Sequence, residues 1–259
     1  GVVANSGQND ARTMPCEGVP RNASTRIRAR LAQRLVASQK ALVAVVMLKD
    51  WLIPLPVASF KRDYLRQEPF AQPDSARQLM PLLTWDRLDR LLQCELADLL
   101  VVAGGKLIGL PRPQNLAQLR LLMQQGVGIV LRRAEREDPS LAELAYSFGQ
   151  ELGGESHIQV FATPAGKHGF GWHYDREDVF IAQTSGKKDY YFRQNTLIED
   201  VLHEPIDFDP YHRETSPLGT ATLIPGDWLY VPSGWWHMAK CVEDSLSISI
   251  GVLLDETVE

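Results

Sequence analysis

Two histidines and one aspartate are the residues of this chain whose types and spacing best suit metal chemistry. His173 and Asp175 are two residues apart in GFGWHYDRED, and His237 follows 62 residues after Asp175. Alternate side chains of a strand point the same way, so His173 and Asp175 can share one face. Two imidazoles and one carboxylate can occupy one face of an octahedral ion, an arrangement typical of non-haem Fe(II) oxygenases.

The opposing interpretation is that these residues are structural. An isolated HxD occurs often by chance, and a histidine beside tryptophans is usually a packed core residue. Two such segments in this order, on predicted strands, favour the metal site. Four further histidines lack a ligand spacing and are predicted to lie in loops or at the surface: His157, His168, His203 and His212.

Other catalytic classes find no support in the sequence. There is no GxSxG for a serine hydrolase, no GxGxxG and no P-loop. The net charge of −5, from 27 basic and 32 acidic residues, argues against a general nucleic-acid-binding protein. Three distant cysteines without a CxxC pair indicate neither a disulfide framework nor a thiolate zinc site.

The elements that must position these residues belong to a soluble globular protein. Hydrophobic residues make up 44% of the chain and charged residues 23%. The longest apolar run, residues 41–48, is far shorter than the roughly 20 residues of a membrane span. No signal peptide is visible at the N-terminus, so we expect a cytoplasmic location and no membrane partner.

The first part of the chain has helical periodicity. Residues 1–24 are polar and predict a loose tail, and residues 25–154 predict a helix-rich flank that packs on the following domain. One helix is predicted to follow a cap at Ser24/Thr25. Further helices are predicted at 59–70, 84–101 (with Thr84 as cap), 113–126 and 139–154, and one strand is predicted at 127–134.

Residues 155–259 have a different pattern. Short segments rich in aromatic and β-branched residues alternate with Gly, Pro, Asp and Ser turns and lack intervening helices. This predicts a mainly β fold with a double-stranded β-helix core, the jelly roll of the cupins. The predicted strands are HIQVFAT, FGWHYD, DVFIAQ, KDYYFR, TATLIP, DWLYVP, WHMAKCV and SLSISIGV.

The last predicted strand, SLSISIGV at 245–252, has two different faces. Leu246, Ile248, Ile250 and Val252 alternate with three serines and a glycine. The apolar face requires a hydrophobic layer. The small polar face either lines a ligand cavity or faces solvent, and the sequence alone favours neither.

The two metal-site segments also carry a family resemblance. HYD followed by DVFIAQTSGKK, together with LIPGDWLYVPSGWWH, resembles the JmjC and cupin-like Fe(II)- and 2-oxoglutarate-dependent oxygenases. Within them the chain looks most similar to bacterial ribosomal-protein hydroxylases and to the asparaginyl hydroxylase that acts on hypoxia-inducible factor. The resemblance is strong over 155–252 and weaker over FKRDYLRQEPF and LLMQQGVGIVLRRAE.

The resemblance implies roles for individual residues. It assigns the metal to His173, Asp175 and His237, and the distal carboxylate of 2-oxoglutarate to Lys188. Strand alternation then places Lys188 and Tyr190 together, while Lys187 points away. Some relatives carry a polar residue at three positions where this chain has Phe170, Val179 and Gly251. The polar contacts to 2-oxoglutarate are therefore expected from other residues, namely Ser247, Ser249 or Thr163.

The resemblance further implies an Fe(II)-dependent dioxygenase that uses O2 and converts 2-oxoglutarate to succinate while hydroxylating a C–H of a protein or peptide side chain. Three alternatives remain: demethylation, a small-molecule substrate, or a non-catalytic metal-binding cupin module. A homodimer is a separate expectation. The aromatic and basic residues around the triad either line the substrate mouth or plug the barrel end: Trp172, Tyr174, Arg176, Trp235 and Trp236.

Overall fold

A computed structural model describes residues 47–203 and 209–254. The predicted tail at 1–24 and most of the helix predicted after Ser24 lie outside these residues. Five α-helices are described: α1 Leu48–Trp51, α2 Val57–Asp63, α3 Trp85–Leu92, α4 Leu116–Gln124 and α5 Pro139–Leu152. Three short 3-10 helices cover Arg77–Leu82, Ala134–Arg136 and Asp209–Arg213.

The helix boundaries follow from local chemistry. The Thr84 side chain accepts a hydrogen bond from the Arg87 amide and so caps α3, as the sequence predicts. The helix α5 begins at Pro139 and ends at Gly153, whose φ of 81° lies in the left-handed region that glycine adopts without steric cost.

Eleven strands form the rest of the described chain. Their bounds are β1 Phe70–Gln72, β2 Asp98–Ala103, β3 Lys106–Leu107, β4 Gly128–Arg132, β5 Gly154–Thr163, β6 Asp178–Ser185, β7 Lys188–Arg193, β8 Gly219–Leu223, β9 Trp228–Val231, β10 Trp236–Cys241 and β11 Ser245–Leu254. Seven of the eight strands predicted in the C-terminal region are confirmed. FGWHYD is the exception, because it makes only two isolated bridges, from Phe170 to Gly105 and from His173 to His237.

The strands form two antiparallel sheets. The large sheet has the order β1-β9-β6-β11-β5-β4-β2-β3, and the small sheet has the order β10-β7-β8. This arrangement confirms the mainly β jelly-roll class with a helix-rich N-terminal flank. The flank also contributes four strands to the large sheet: β4, as predicted at 127–134, and β1, β2 and β3, which the helical periodicity did not predict.

One expected helix is wrong in its second half. The sequence predicts a helix over 84–101, but α3 ends at Leu92 and the strand β2 begins at Asp98. The strand is favoured because β2 pairs with β4 along its length, from Asp98 opposite Arg132 to Val102 opposite Gly128. Sheet pairing and burial therefore outweigh the leucine spacing.

The apolar face of β11 enters the main hydrophobic core. Leu246, Ile248, Ile250 and Val252 are fully buried there, with Trp51 and other residues of the flank. The serine face of β11 lies on the opposite side of the sheet, toward the small sheet. This decides the alternative that the sequence left open, because the serines do not face solvent.

No helix among the described residues is long and apolar enough to cross a membrane. The domain boundaries at residues 24 and 154, the cytoplasmic location and a homodimer stay predictions.

Candidate metal centre and cavity

The three residues predicted to bind a metal converge in space. His173 and His237 form an antiparallel bridge in which each backbone amide donates to the other's carbonyl, at 3.1 and 2.8 Å. The ligand atoms of the two histidines and Asp175 all lie within 4.8 Å of one another. Asp175 Oδ2 is 3.9 Å from Nε2 of His173 and 3.4 Å from Nε2 of His237.

Main-chain carbonyls fix the tautomer of both imidazoles. Nδ1 of His173 lies 2.8 Å from the Gly171 carbonyl, and Nδ1 of His237 lies 3.0 Å from the Trp235 carbonyl. A carbonyl only accepts, so each Nδ1 carries the hydrogen. The lone pair of each Nε2 is thereby directed to the common point, which is how metal-binding histidines are oriented.

Two turns flank β9, the strand before His237: the first is Pro225-Gly226-Asp227 and the second is Pro232-Ser233-Gly234. The Asp227 carboxylate accepts from the amides of Asp74, at 2.8 Å, and Ile224, at 3.0 Å. Gly226 has a φ of 101°, which glycine adopts without steric cost. The Gly234 amide donates to the Asp175 carbonyl at 2.8 Å, so the second turn contacts the HxD segment directly.

The electrostatics of the triad follow from burial and mutual contact. Burial, with the neighbouring His237, lowers the pKa of His173. Burial alone would raise the pKa of Asp175, but close contact with His237 and the neighbouring His173 lower it to about 2. The carboxylate is therefore ionised at neutral pH, as a metal ligand must be.

Beside the triad lies a cavity of about 460 Å3, within the range of small-molecule sites. The triad lines it together with Lys188, Ser247 and Ser249, so all six predicted site residues face one space. Thr163, Phe170, Val179 and Gly251 also line it.

Lys188 is buried at the far side of this cavity. It is 4% exposed, and Nζ donates to Ser247 Oγ at 3.1 Å. Nζ also lies 5.6 Å from the centre of the Phe161 ring and 5.8 Å from that of Tyr190. Among the described residues, no carboxylate pairs with it, and burial lowers its pKa.

Some of the aromatic residues around the triad line the cavity, and others pack in the protein interior. Trp172 lines the cavity and stacks on Tyr211, with ring centres 4.2 Å apart. Tyr174 and Trp236 are buried and pack edge to face on each other. Trp235 packs against a smaller core beneath the small sheet.

Two residues of the cavity region were missed by the sequence analysis. His157 was expected at the surface or in a loop, but it is buried on β5, with Nε2 3.2 Å from Oε2 of Glu177. Burial lowers the pKa of His157 and raises that of Glu177 to about 7. The alternation that relates His173 to Asp175 continues to Glu177, and this was the available signal.

Comparison with known proteins shows which domain and which solved structures the chain is similar to. The profile of the JmjC domain matches residues 135–259. The chain is 38% identical over 101 residues to the bifunctional lysine-specific demethylase and histidyl-hydroxylase NO66 of Dictyostelium discoideum, covering 38% of this chain and 20% of that protein.

A second relative is ribosomal oxygenase 1 of Gallus gallus. It is 31% identical over 140 residues, which cover 54% of this chain and 22% of that protein. The chain therefore spans about a fifth of the length of each of these relatives.

Among solved structures, E. coli ycfD has the same fold, with a TM-score of 0.59, 19% identity, and coverage of 78% of this chain and 54% of that one. A second ycfD structure, in complex with cobalt and 2-oxoglutarate, superposes with a TM-score of 0.58 at 19% identity over 79% and 53% of the two chains.

Proposed function

We propose that this JmjC protein is an Fe(II)- and 2-oxoglutarate-dependent oxygenase that hydroxylates a C–H bond of a protein or peptide side chain. The observation that carries the proposal is the convergence of two imidazoles and one carboxylate beside a buried ammonium group that has no carboxylate partner among the described residues. The relatives named oxygenase or histidyl-hydroxylase, and the cobalt and 2-oxoglutarate bound to ycfD, support the same chemistry.

The donor set fits Fe(II). His173, Asp175 and His237 would hold the ion through two Nε2 atoms and one carboxylate oxygen, which leaves coordination positions open for other ligands. The carbonyls of Gly171 and Trp235 hold the rings in place through Nδ1.

The cavity beyond the triad fits a dicarboxylate. Lys188 and Ser247 would bind the distal carboxylate of 2-oxoglutarate, because an ammonium that is buried without a counter-ion gains most from a charge-assisted hydrogen bond. Ser249 and Thr163 line the same cavity and can offer further hydroxyl donors. Their contribution is part of the proposal.

Bound iron and 2-oxoglutarate supply the oxidising chemistry, in which O2 is consumed and succinate and CO2 are released. The chain orients these groups and excludes bulk water. Phe170 packs edge to face on the His173 ring, and Val179 and Ile181 add apolar surface to the cavity wall. Such a wall strengthens the electrostatic contacts inside it and limits side reactions.

The test is a pair of measurements on the full chain. Without O2, addition of Fe(II) and 2-oxoglutarate should produce a visible charge-transfer band. With O2, 2-oxoglutarate should be converted to succinate, and candidate protein substrates should gain 16 Da. His173→Ala should remove both signals. Iron-loaded protein that shows no band with 2-oxoglutarate would support the non-catalytic cupin module instead.

A further inference from the structure

A β-bulge interrupts β6 just before the turn that leads to β7. In the pairing of β6 with β11, Gln183 lies opposite Ser247 and Ser185 lies opposite Leu246. Thr184 is therefore one extra residue on β6. A bulge bends its strand and changes the direction of the side chains that follow, and bulges are frequent beside active sites.

The side chain of Ser185 shows the effect of the bulge. By strand alternation, Ser185 would lie on the face of β6 that lines the cavity. Its hydroxyl instead accepts a hydrogen bond from Trp85 Nε1 on α3 of the flank, at 3.1 Å. The turn at residues 185–187 thus begins on the far side of the sheet, although Lys188, which follows it, faces the cavity.

Gln183 holds this turn from inside the protein. Its side chain is fully buried, and Nε2 donates to the carbonyls of Ser185, at 2.7 Å, and Gly186, at 3.3 Å. Gly186 has a φ of 68°, and a Cβ there would overlap the Asp244 carbonyl oxygen. The turn is therefore confined between the Gln183 amide group and the main chain of the next turn.

The oxygen of the same side chain contributes nothing comparable. Among the described residues, Oε1 of Gln183 is buried without a hydrogen-bond partner. A buried acceptor that is left unpaired costs free energy, which offsets much of what the two donated bonds contribute. Fold stability alone thus gives little reason for a glutamine at this position, whereas its contact with the turn does.

The turn determines where the ammonium group of Lys188 lies. Lys188 is the first residue of β7 and lies opposite Leu223 on β8 and Cys241 on β10. Its Nζ donates to Ser247, which is the residue opposite Gln183 on β11. The glutamine, the turn and the lysine therefore surround one end of the cavity.

We propose that Gln183 is a positioning residue for the 2-oxoglutarate site. Its amide group holds the turn at 185–187, and the turn holds the Lys188 ammonium group where the distal carboxylate can reach it while the other end of 2-oxoglutarate chelates the metal. This inference rests on the proposed function, because it concerns the co-substrate of that reaction. Gln183 is outside the cavity lining and acts through Lys188.

The test compares two ligands of the Mn(II)-loaded full chain by isothermal titration calorimetry. Both 2-oxoglutarate and oxalate can chelate a metal, but oxalate has no carbon chain that could reach Lys188. Gln183→Met has nearly the same size and no amide group. It should bind 2-oxoglutarate about tenfold more weakly, as is found when a residue that orients a ligand is lost. Its affinity for oxalate should be unchanged.

Two further variants address the mechanism. Gln183→Asn keeps the amide group but is one methylene shorter, so it should also weaken binding of 2-oxoglutarate and not of oxalate. In a Lys188→Met background, Gln183→Met should cause no further loss of 2-oxoglutarate affinity, because the group that it positions is absent.

The matched control is Gln93→Met. Nε2 of Gln93 also donates to a main-chain carbonyl, that of Asp89 at 3.2 Å. Gln93 is exposed at the end of α3 and is outside the cavity lining. This variant should bind both ligands as the wild type does.

The comparison of wild type with Lys188→Met separates two kinds of failure. If the wild type binds 2-oxoglutarate no more tightly than Lys188→Met, the proposed 2-oxoglutarate site fails and this inference fails with it. The positioning role alone is refuted if that difference is present but Gln183→Met keeps its full affinity for 2-oxoglutarate. It is also refuted if Gln183→Met weakens both ligands equally, or if its effect adds to that of Lys188→Met.

Discussion

The two histidines of the candidate metal centre are held by backbone groups rather than by side chains. Each Nδ1 donates to the carbonyl two residues before it, Gly171 or Trp235, and the two histidines also pair through their own main-chain groups. A ligand oriented in this way loses little conformational freedom when a metal binds. The site is therefore largely formed before the ion enters.

Removal of one ligand should weaken metal binding much more than loss of a distant histidine. We expect His237→Ala and Asp175→Ala to lower Mn(II) affinity roughly 100-fold or more, because even the loss of a group that merely orients a ligand costs about 10- to 100-fold. Titration followed by Mn(II) electron paramagnetic resonance measures this.

The matched control for these variants is His203→Ala. His203 is exposed and contacts Asp200 away from the centre. An unchanged Mn(II) affinity in His237→Ala would contradict the assignment of this residue as a ligand.

If 2-oxoglutarate binds at Lys188 as proposed, its affinity should depend on pH. Burial lowers the pKa of its ammonium group in the free protein. A bound carboxylate favours the charged form and raises that pKa again. Above the lowered pKa the free protein holds the neutral amine, so binding must take up a proton, and affinity should fall as pH rises.

This dependence can be measured with Mn(II)-loaded protein between about pH 7 and pH 10, up to the ordinary pKa of lysine. The dissociation constant for 2-oxoglutarate should increase with pH in the wild type. In Lys188→Met the affinity should be lower at neutral pH, and any remaining pH slope should be smaller. An equal slope in both proteins would show that another group takes up the proton.

At the scale of elements, the sequence predicts a strand best where all the side chains on one face share the same environment. The alternation in SLSISIGV predicts the apolar face of β11, but it leaves open whether the serine face meets a cavity or solvent. The segment 84–101 fails because Leu99 to Val102 fit a helix by spacing alone. Only pairing with β4, which lies later in the chain, selects the strand.

The candidate site also has residues that the sequence predicts and residues that it does not. Spacing and resemblance predict the triad and Lys188, because their positions follow motifs within single segments. The contact of Glu177 with His157 depends on the register of β5, β6 and β11, which brings together residues that are distant in sequence. No local pattern contains that register, so His157 was wrongly expected in a loop or at the surface.

Arg112 stabilises the end of α3 and the start of β2. Its guanidinium donates to four carbonyls at 2.8 to 3.1 Å, of which Cys94 also accepts from the Ala97 amide: those of Leu92, Cys94, Glu95 and Ala97. Arg112→Ala should lower the free energy of unfolding by about 2–4 kcal/mol, since it leaves several partly buried acceptors unpaired.

Urea denaturation measures this change. Arg90→Ala is the control, because Arg90 lies on α3 with an exposed side chain, and its replacement should change the free energy of unfolding by no more than about 0.5 kcal/mol. Equal effects of the two substitutions would show that the carbonyl contacts of Arg112 add no stability.

At the scale of the whole molecule, the helical flank and the jelly roll share one core. Trp51 packs edge to face on Phe148 and Trp228, and Phe60 packs on Phe180 and Tyr230. These rings come from α1, α2, α5, β6 and β9. Separation of the flank from the sheet would expose them, so we expect the described region to unfold as one unit.

Tyr230 tests this coupling because its hydroxyl joins the two parts. It donates to the buried Asp178 carboxylate and accepts from the Arg66 amide at 2.7 Å. Arg66 also donates to the Leu254 carbonyl at 3.0 Å. Tyr230→Phe leaves Asp178 with fewer donors and should lower the free energy of unfolding by about 1–3 kcal/mol.

Tyr191→Phe is the matched control, since within the described residues its hydroxyl has no hydrogen-bond partner, and it should change the free energy of unfolding by no more than about 0.5 kcal/mol. Far-UV circular dichroism and tryptophan fluorescence should give one coincident urea transition in wild type and both variants. A shared core requires the midpoint to shift for both probes together in Tyr230→Phe. Two separate transitions, with only one displaced, would mean that the flank and the jelly roll unfold independently.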